Sequence, residues 1–193
     1  EKIRLVAFDS QWFLHLYNKG TKGSKKETSN LFYHQLDSIL FLAKNNNELV
    51  ILVAHHPLYS NGQHSRIKQP LRFLINYTPF QLFGLMGVNR LYSQDLAQPR
   101  YRRMKNKLLR VLNKYDNITY VSGHEHNQQA VKKGNIYFLI SGNGSKLSSL
   151  RKRKNKDAIF EDDKHLGFLK LTIDSKSVVH LYSESSDGER NIF

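Results

Sequence analysis

The sequence predicts an α/β domain. Short apolar runs rich in Val, Ile and Leu, such as Leu49 to Ala54 and Ile136 to Ile140, have the length and composition of buried strands. Between such runs, Leu31 to Ala43 and Tyr101 to Tyr115 carry apolar residues at helical spacing. Imidazoles follow two of the strands, at His55-His56 and at His124, which is where open α/β sheets build their sites.

The elements follow in chain order. Ile3 to Phe8 reads as a strand ending at Asp9-Ser10. Lys19 to Lys26 is a polar loop of Gly, Lys and Ser. Thr28 or Ser29 caps a helix whose apolar positions are Leu31, Phe32, Leu36, Ile39, Leu40 and Ala43, and Asn45-Asn46-Asn47 stops it. Leu49 to Ala54 is all apolar, the pattern of a strand buried on both faces, and Pro57 forbids its simple continuation.

Gln69 to Tyr77 is expected to be a short helix. Thr78 to Val88 is an apolar insertion with two glycines, read equally as core or as an intermolecular surface. Tyr101, Met104, Leu108, Val111, Leu112 and Tyr115 form one helical face, with Arg102, Arg103, Lys105, Lys107 and Lys114 largely opposite. Asn117 to Ser122 is the next strand and delivers Gly123-His124. Ile136 to Ile140 is followed by a tight Ser141 to Ser145 turn, which a simple turn explains better than an anion site. Residues 151 to 164 read as a charged, mobile loop. Leu166 to Ile173 and Val178 to Tyr182 form a terminal hairpin turning near Asp174-Ser175-Lys176. Trp12, Phe13, Phe80 and Phe83 are assigned to core packing, and His15, His34, His165 and His180 to surface or packing roles. With no internal repeat and no internal linker, residues 1–193 form a single domain or most of one.

Composition narrows the function. The chain of 193 residues is long enough for one domain with a real core, and its aromatic content argues against disorder. No apolar stretch is long enough to cross a bilayer. Without cysteine, disulfides and thiolate metal sites are excluded. The start at Glu1 reads as a processed or excised piece. A net charge of +14 comes mainly from Lys19 to Lys26, Arg100 to Lys114 and Lys146 to Lys156. Such charge attracts phosphates, nucleic acid or anionic lipid. The patches lack the aromatic interleaving of nucleic-acid binders, so the reading here is a solvated basic surface and nucleic acid is disfavoured as a partner.

The chemistry rests on two segments, Val53-Ala54-His55-His56-Pro57-Leu58-Tyr59-Ser60-Asn61-Gly62-Gln63-His64 and Ser122-Gly123-His124-Glu125-His126-Asn127. Neutral imidazole is a common ligand of zinc, iron and manganese. At i, i+2 spacing, His124 and His126 reach one ion from an extended segment, or two ions from a tight turn after Gly123. A lone His-x-His is a weak signal. Two histidine clusters, each after a buried strand and each with Gly or Pro turn chemistry, are a much stronger one.

These residues carry a resemblance. Ala54-His55-His56-Pro57-Leu58-Tyr59-Ser60, with His64 beyond it, resembles the fourth motif of the calcineurin-like metallophosphoesterases, closest to the purple acid phosphatase branch. Ser122-Gly123-His124-Glu125-His126-Asn127-Gln128-Gln129 resembles the closing Gly-His-x-His motif of that superfamily. Phe8-Asp9-Ser10-Gln11-Trp12 looks like the segment after its Gly-Asn-His motif. The order and rough spacing agree over about residues 3 to 145.

The resemblance implies that this α/β chain is part of a four-layer α/β/β/α sandwich with a C-terminal β-hairpin and a dinuclear centre of Mn, Fe or Zn. By motif, His55 and His124 are expected to ligate one metal and His126 the other. His64 is the expected catalytic residue near the phosphate, and His56 is given no ligand role. Ala54 stands where Gly is usual and Glu125 where Asp or a small polar residue is commoner, and neither departure removes a ligand. The implied activity is metal-dependent hydrolysis of phosphate esters.

No Asp-x-His precedes the two histidine clusters, and Gly-Asp-x-x-Asp and Gly-Asn-His do not occur, so the motifs that supply carboxylate and Asn ligands are missing ahead of them. The expectation is that the chain is the C-terminal portion of a longer protein whose N-terminal half is its partner. Completion by another polypeptide, or a degenerate module binding a protein or a membrane surface, are the alternatives. Half a sandwich exposes apolar surface, so self-association is also expected. The resemblance to large bacterial phosphoesterases adds an expectation of export or outer-membrane association.

Overall fold

The computed structural model describes residues 2–14, 25–62, 96, 98–151, 156–174 and 179–193. Several expected features lie outside them: most of the 19–26 loop, the 69–77 helix, the 78–88 insertion with Phe80 and Phe83, His15, His64 and the turn at Ser175-Lys176.

Nine strands make two sheets among the described residues. The larger takes β1 (Ile3–Ala7), β2 (Leu49–Val53), β3 (Ile118–Ser122), β4 (Gln128–Lys133), β5 (Ile136–Ser141) and β6 (Ala158–Asp162) in the order β1-β2-β3-β5-β4-β6. The first three and β5 run parallel, while β4 is antiparallel to both of its neighbours. The smaller sheet is the antiparallel β7 (Gly167–Ile173), β8 (Val179–Ser185) and β9 (Gly188–Asn191).

Parallel neighbours need crossover connections, and helices supply the apolar faces that cover them. Helix α1 (Lys25–Asn45) lies between β1 and β2, and α2 (Pro99–Leu112) precedes β3. Helix α1 buries Tyr33, Leu36, Leu40 and Ala43, one stripe at helical spacing. Leu31, expected on that stripe, is 56% exposed, because it falls nearly half a turn away from it. Helix α2 buries Tyr101, Met104, Leu108, Val111 and Leu112 as the sequence periodicity predicts, with Pro99 in its first turn where a missing N–H costs nothing. Both stripes meet Val50, Leu52, Ile118, Tyr120 and Phe138 on one face of the large sheet. Asp37 clamps the two helices, accepting from Lys114 Nζ and the Tyr115 hydroxyl, each at 2.8 Å. The bonds from Lys114 and Tyr115 hold the Asp37 carboxyl below the usual carboxylate range.

The other face meets the small sheet. Ala130, Leu139 and Leu181 are fully buried there, with Val121, Phe160, Leu169, Leu171, Ile192 and Phe193 around them. Phe193 stacks on Tyr137 at 4.7 Å between centroids. Burial fades toward the β1 edge. Thr119 on β3 is buried, its β2 partner Ile51 is half-buried, and Leu5 opposite Ile51 on β1 is 68% exposed. Strand β2 is therefore not buried on both faces as its composition suggests. The small sheet covers β3, β5 and β4, not β1 and β2.

Three features were not foreseen. The charged 151–164 stretch contains β6, paired with β4 through Gln128↔Asp162, Gln129↔Glu161 and Ala130↔Phe160. Alternation with half-buried Ala158, Phe160 and Asp162 hides that strand among charges. Strand β4 was missed because Gln128 and Gln129 are polar yet fully buried. The terminal hairpin gains a third strand, β9, where Gly188 adopts φ +105° at the turn.

His165 ties this terminal region together. Its Nδ1 lies 2.8 Å from Asp162 on β6, and its Nε2 lies 2.9 Å from Asp187 in the β8–β9 turn. The bond to Asp162, aided by the Asp162 and Asp187 charges, raises the His165 pKa, against its partial desolvation and Lys164. Because the folded value is raised, this contribution to stability is full below about 6.5, the ordinary histidine value, and is lost as pH rises through the folded value. His165→Gln is therefore expected to lower the midpoint of thermal unfolding near about pH 6 and to change it little near about pH 9. Equal destabilisation at both pH values in circular dichroism melts would show that the ion pairs are not the cause.

Candidate metal centre

The site grows from the carboxyl ends of three adjacent parallel strands. Backbone bonds continue just past them: Phe8 N–H to Val53 O (3.1 Å), Ala54 N–H to Val121 O (3.1 Å) and Gly123 N–H to His55 O (3.2 Å). Those bonds hold Ser10, His55-His56 and His124 side by side.

His55, His56 and His124 bring one ligand atom each within 4.8 Å of the others. Their ring centroids form a nearly equilateral triangle with sides of 4.9, 4.7 and 5.0 Å. His55 Nε2 lies 3.1 Å from His124 Nδ1. The rings grade from exposed His55 through half-buried His124 to fully buried His56. Burial, with His124 and His55 nearby, pushes the His56 pKa down to about 3, so its imidazole is neutral at physiological pH. A neutral ring is the form that binds metal.

The backbone around His56 is tightly specified. The buried Tyr120 hydroxyl donates to the His56 carbonyl at 2.7 Å, and the Tyr101 hydroxyl donates to the Pro57 carbonyl. Burial raises both phenol pKa values, so both groups stay donors. Ser10 Oγ sits 2.8 Å from His56 Nδ1 and accepts the His56 backbone N–H at 3.1 Å.

His124 adopts φ +68°, a left-handed conformation that costs a side-chain-bearing residue about 1 kcal/mol or more. What compels it is the turn that follows. Glu125 N–H bonds Gly123 O at 2.8 Å, and a Cβ at Gly142 would overlap the Glu125 carbonyl. Beyond the turn, His126 and Ser148 exchange backbone and hydroxyl bonds, with Ser148 N–H to His126 O at 2.8 Å and His126 N–H to Ser148 Oγ at 3.1 Å.

A buried polar web joins the two histidine loops from below. Ser60 Oγ donates to Glu125 Oε1 at 3.2 Å, Asn61 N–H to Gln129 Oε1 at 2.7 Å, and Gln129 Nε2 to Asn127 Oδ1 at 2.7 Å. Arg151 Nε closes it on Gly62 O at 2.9 Å. Gly62 is needed here because a Cβ would overlap the Glu125 carboxylate.

Of the expected ligands, the structure brings His55 and His124 together, and the third ring beside them is His56. His126 is half-buried further along the turn and is not a member of this group. His64 lies outside the described residues. The motif resemblance gives His56 no ligand role, and on an extended strand its ring would point away from that of His55. Residues 55 and 56 instead lie in a bend before Pro57, and that bend swings both rings to one side. A His-His-Pro run just past a strand was the available signal.

The donor set suits a metal ion. Imidazole favours zinc, iron, copper and nickel, and three histidines with an open position are a known catalytic zinc arrangement. His56 Nε2 is buried and has no hydrogen-bond partner among the described residues. No carboxylate belongs to the group among the described residues.

No protein-family model and no curated protein matches the chain. Among solved structures it is similar to GAP50, described as the anchor in the inner membrane complex of Plasmodium. The identity is 18%, over 97% of this chain and 43% of that one, with a TM-score of 0.50. A dimetal phosphatase from Danio rerio overlaps at 12% identity over 88% of this chain and 38% of that one, with a TM-score of 0.43. The likeness to GAP50 is one of fold. The chain spans less than half the length of either structure.

The strain at His124 makes a stability prediction. His124→Gly is expected to stay within ~1 kcal/mol of the native chain, because relief at positive φ offsets the greater freedom of the unfolded state. His124→Val is expected to cost ~1–3 kcal/mol, since a β-branched residue tolerates that conformation least. Urea unfolding checks this, and equal losses in the two variants would mean the turn relaxes away from positive φ.

Proposed function

We propose that this chain supplies the histidine side of a metal-dependent hydrolase of phosphate esters. The observation that carries the reading is the triangle of His55, His56 and His124 at the ends of adjacent parallel strands. The motif resemblance and the likeness of fold support it. In this reading His55 and His124 hold one ion, and His126 belongs to a second. The carboxylate ligands come from the remainder of a longer protein or from another chain, completing the dinuclear centre and the four-layer sandwich.

Metal in such a site supplies charge stabilisation at the phosphoryl oxygens and activation of water. The chain's own residues do the rest. His64, placed by resemblance beside the phosphate, holds the phosphoryl group or protonates the leaving oxygen. Exposed His55 and half-buried His124 face the side from which substrate enters. The net charge of +14 draws an anionic ester toward the surface.

A second reading has a specific observation behind it. Ile3 and Leu5 on the β1 edge are 52% and 68% exposed, and Phe41 and Leu42 on α1 are more than half exposed. A non-catalytic module that docks another protein, a second copy or a membrane surface would use such apolar area. GAP50, by its description, is an anchor. No helix among the described residues is long and apolar enough to cross a membrane, so a membrane role would be peripheral unless strands cross it.

Metal content after loading with Mn, Fe or Zn, together with turnover of a chromogenic phosphate ester, tests the reading. His64→Ala is expected to retain metal and lose ~10²–10⁴ in turnover, the usual worth of one general acid. His124→Ala is expected to lose metal. Equal metal loss in both variants would overturn this division of roles. A native chain that binds metal and turns over no ester, even with its partner segment restored, would favour the docking module.

A further inference from the structure

We infer that His56 is a third ligand of the ion held by His55 and His124, and that Ser10 is the residue that positions it. The inference rests on the reading of His55 and His124 as metal ligands and goes beyond it, since neither the motif nor the sequence gives His56 or Ser10 a role.

The spacing of the His55 and His124 nitrogens is that of a coordination shell. Zinc–imidazole bonds of about 2.0–2.1 Å at tetrahedral angles put ligand nitrogens about 3.3 Å apart. His55 Nε2 and His124 Nδ1 stand 3.1 Å apart, and the His56 ring completes the triangle at 4.7 and 4.9 Å between centroids. One ligand nitrogen from each of the three rings lies within 4.8 Å of the others, so a small adjustment of the His56 ring gathers them around one point.

His56 is committed to that point by its other nitrogen. Nδ1 is engaged by Ser10 Oγ at 2.8 Å, which leaves Nε2 as the ligand atom. Nε2 is buried and has no partner among the described residues, and an orphaned buried nitrogen costs about 1–3 kcal/mol unless something meets it. Ser10 Oγ already accepts the His56 backbone N–H at 3.1 Å. If Nδ1 also donates to it, both lone pairs of the hydroxyl oxygen are used and Nε2 carries a bare lone pair. Metal-binding histidines commonly donate their second ring N–H to a fixed acceptor, which sets tautomer and ring orientation. Ser10 is fully buried just past the end of β1 and is bonded to both the ring and the backbone N–H of His56, so its position is fixed. Metal binding is thereby linked to the first strand of the chain, which bears no imidazole ligand.

Zn(II) added to the chain labelled with 15N-histidine tests this, with affinity measured by competition against a chelator. Zinc is expected to shift the ring nitrogens of His55, His56 and His124 together, with His56 ligated through Nε2 and protonated at Nδ1. Ser10→Ala is expected to weaken zinc binding ~10–100-fold, the usual effect of removing such a positioning group, and to disturb the His56 resonances first. His56→Gln is expected to weaken it further and leave two shifting rings. Circular dichroism melts accompany both. Should His56→Gln fail to fold, Ser10→Ala and the native ring shifts carry the test. Zinc binding that shifts only His55 and His124, with Ser10→Ala at native affinity, would overturn the inference and leave the hydrolase reading standing. A native chain that binds no zinc, or a His124→Ala variant that binds it as well as the native chain, would overturn both.

Discussion

The parallel pairing of β1, β2 and β3 is the constraint on which the rest depends. Parallel strands must all end at the same edge, so whatever residue follows each one is delivered to a common place. The backbone ladder runs past the formal strand ends, through Phe8 to Val53, Ala54 to Val121 and Gly123 to His55. Ser10, His55, His56 and His124 inherit that register. Residues 46 and 69 positions apart in sequence come within hydrogen-bonding distance because of it. The helices serve the same end, since without α1 and α2 covering one face the parallel arrangement would not be stable in water.

Fixing strand ends does not by itself aim side chains, and the aiming is done by buried polar groups. Tyr120 and Tyr101 each satisfy a carbonyl in the His56-Pro57 bend, and Ser10 satisfies the His56 N–H. Buried backbone groups in an irregular loop would otherwise be unpaired, at a cost of about 1–3 kcal/mol each. Three side chains, from the segment after β1, from α2 and from β3, are therefore occupied with two residues of one loop. The left-handed backbone at His124 belongs to the same design. Strain of that kind persists only where surrounding contacts over-determine it, and the Glu125 turn packed against Gly142 and Gly62 does so.

Legibility in the sequence followed from how each element is stabilised. Strands β2, β3 and β5 and helix α2 are held by apolar burial and were legible from it, while β1, whose residues are exposed or half-buried, was legible from its apolar composition. Strands β4 and β6 are held partly by polar groups. Gln128 accepts from Ser183 Oγ at 2.6 Å, and Glu161 accepts from Asn61 Nδ2 at 2.5 Å, so neither strand looks apolar. Leu31 and the uncovered face of β2 were misjudged for another reason: hydrophobic residues show which surfaces want cover, not which ones receive it. At the site, His55 and His124 were legible from motif and strand context together. His56 was not, because the motif assigns that position nothing and a bend brings its ring to the other two, and Ser10 was not, because nothing in its own neighbourhood marks it as buried.

The gradient of burial across the large sheet connects fold to site. Leu139 and Ala130 are sealed beneath the small sheet, Ile51 is half-covered, and Leu5 and Ile3 are open. The histidine triangle repeats that gradient, from buried His56 to exposed His55. A ligand set with one ring locked in the core and one in water has opposite requirements at its two ends. The buried end gives a fixed ring orientation at little entropic cost on binding, because Ser10 and the fold have already frozen it. The exposed end, by contrast, would be ordered only when an ion arrives.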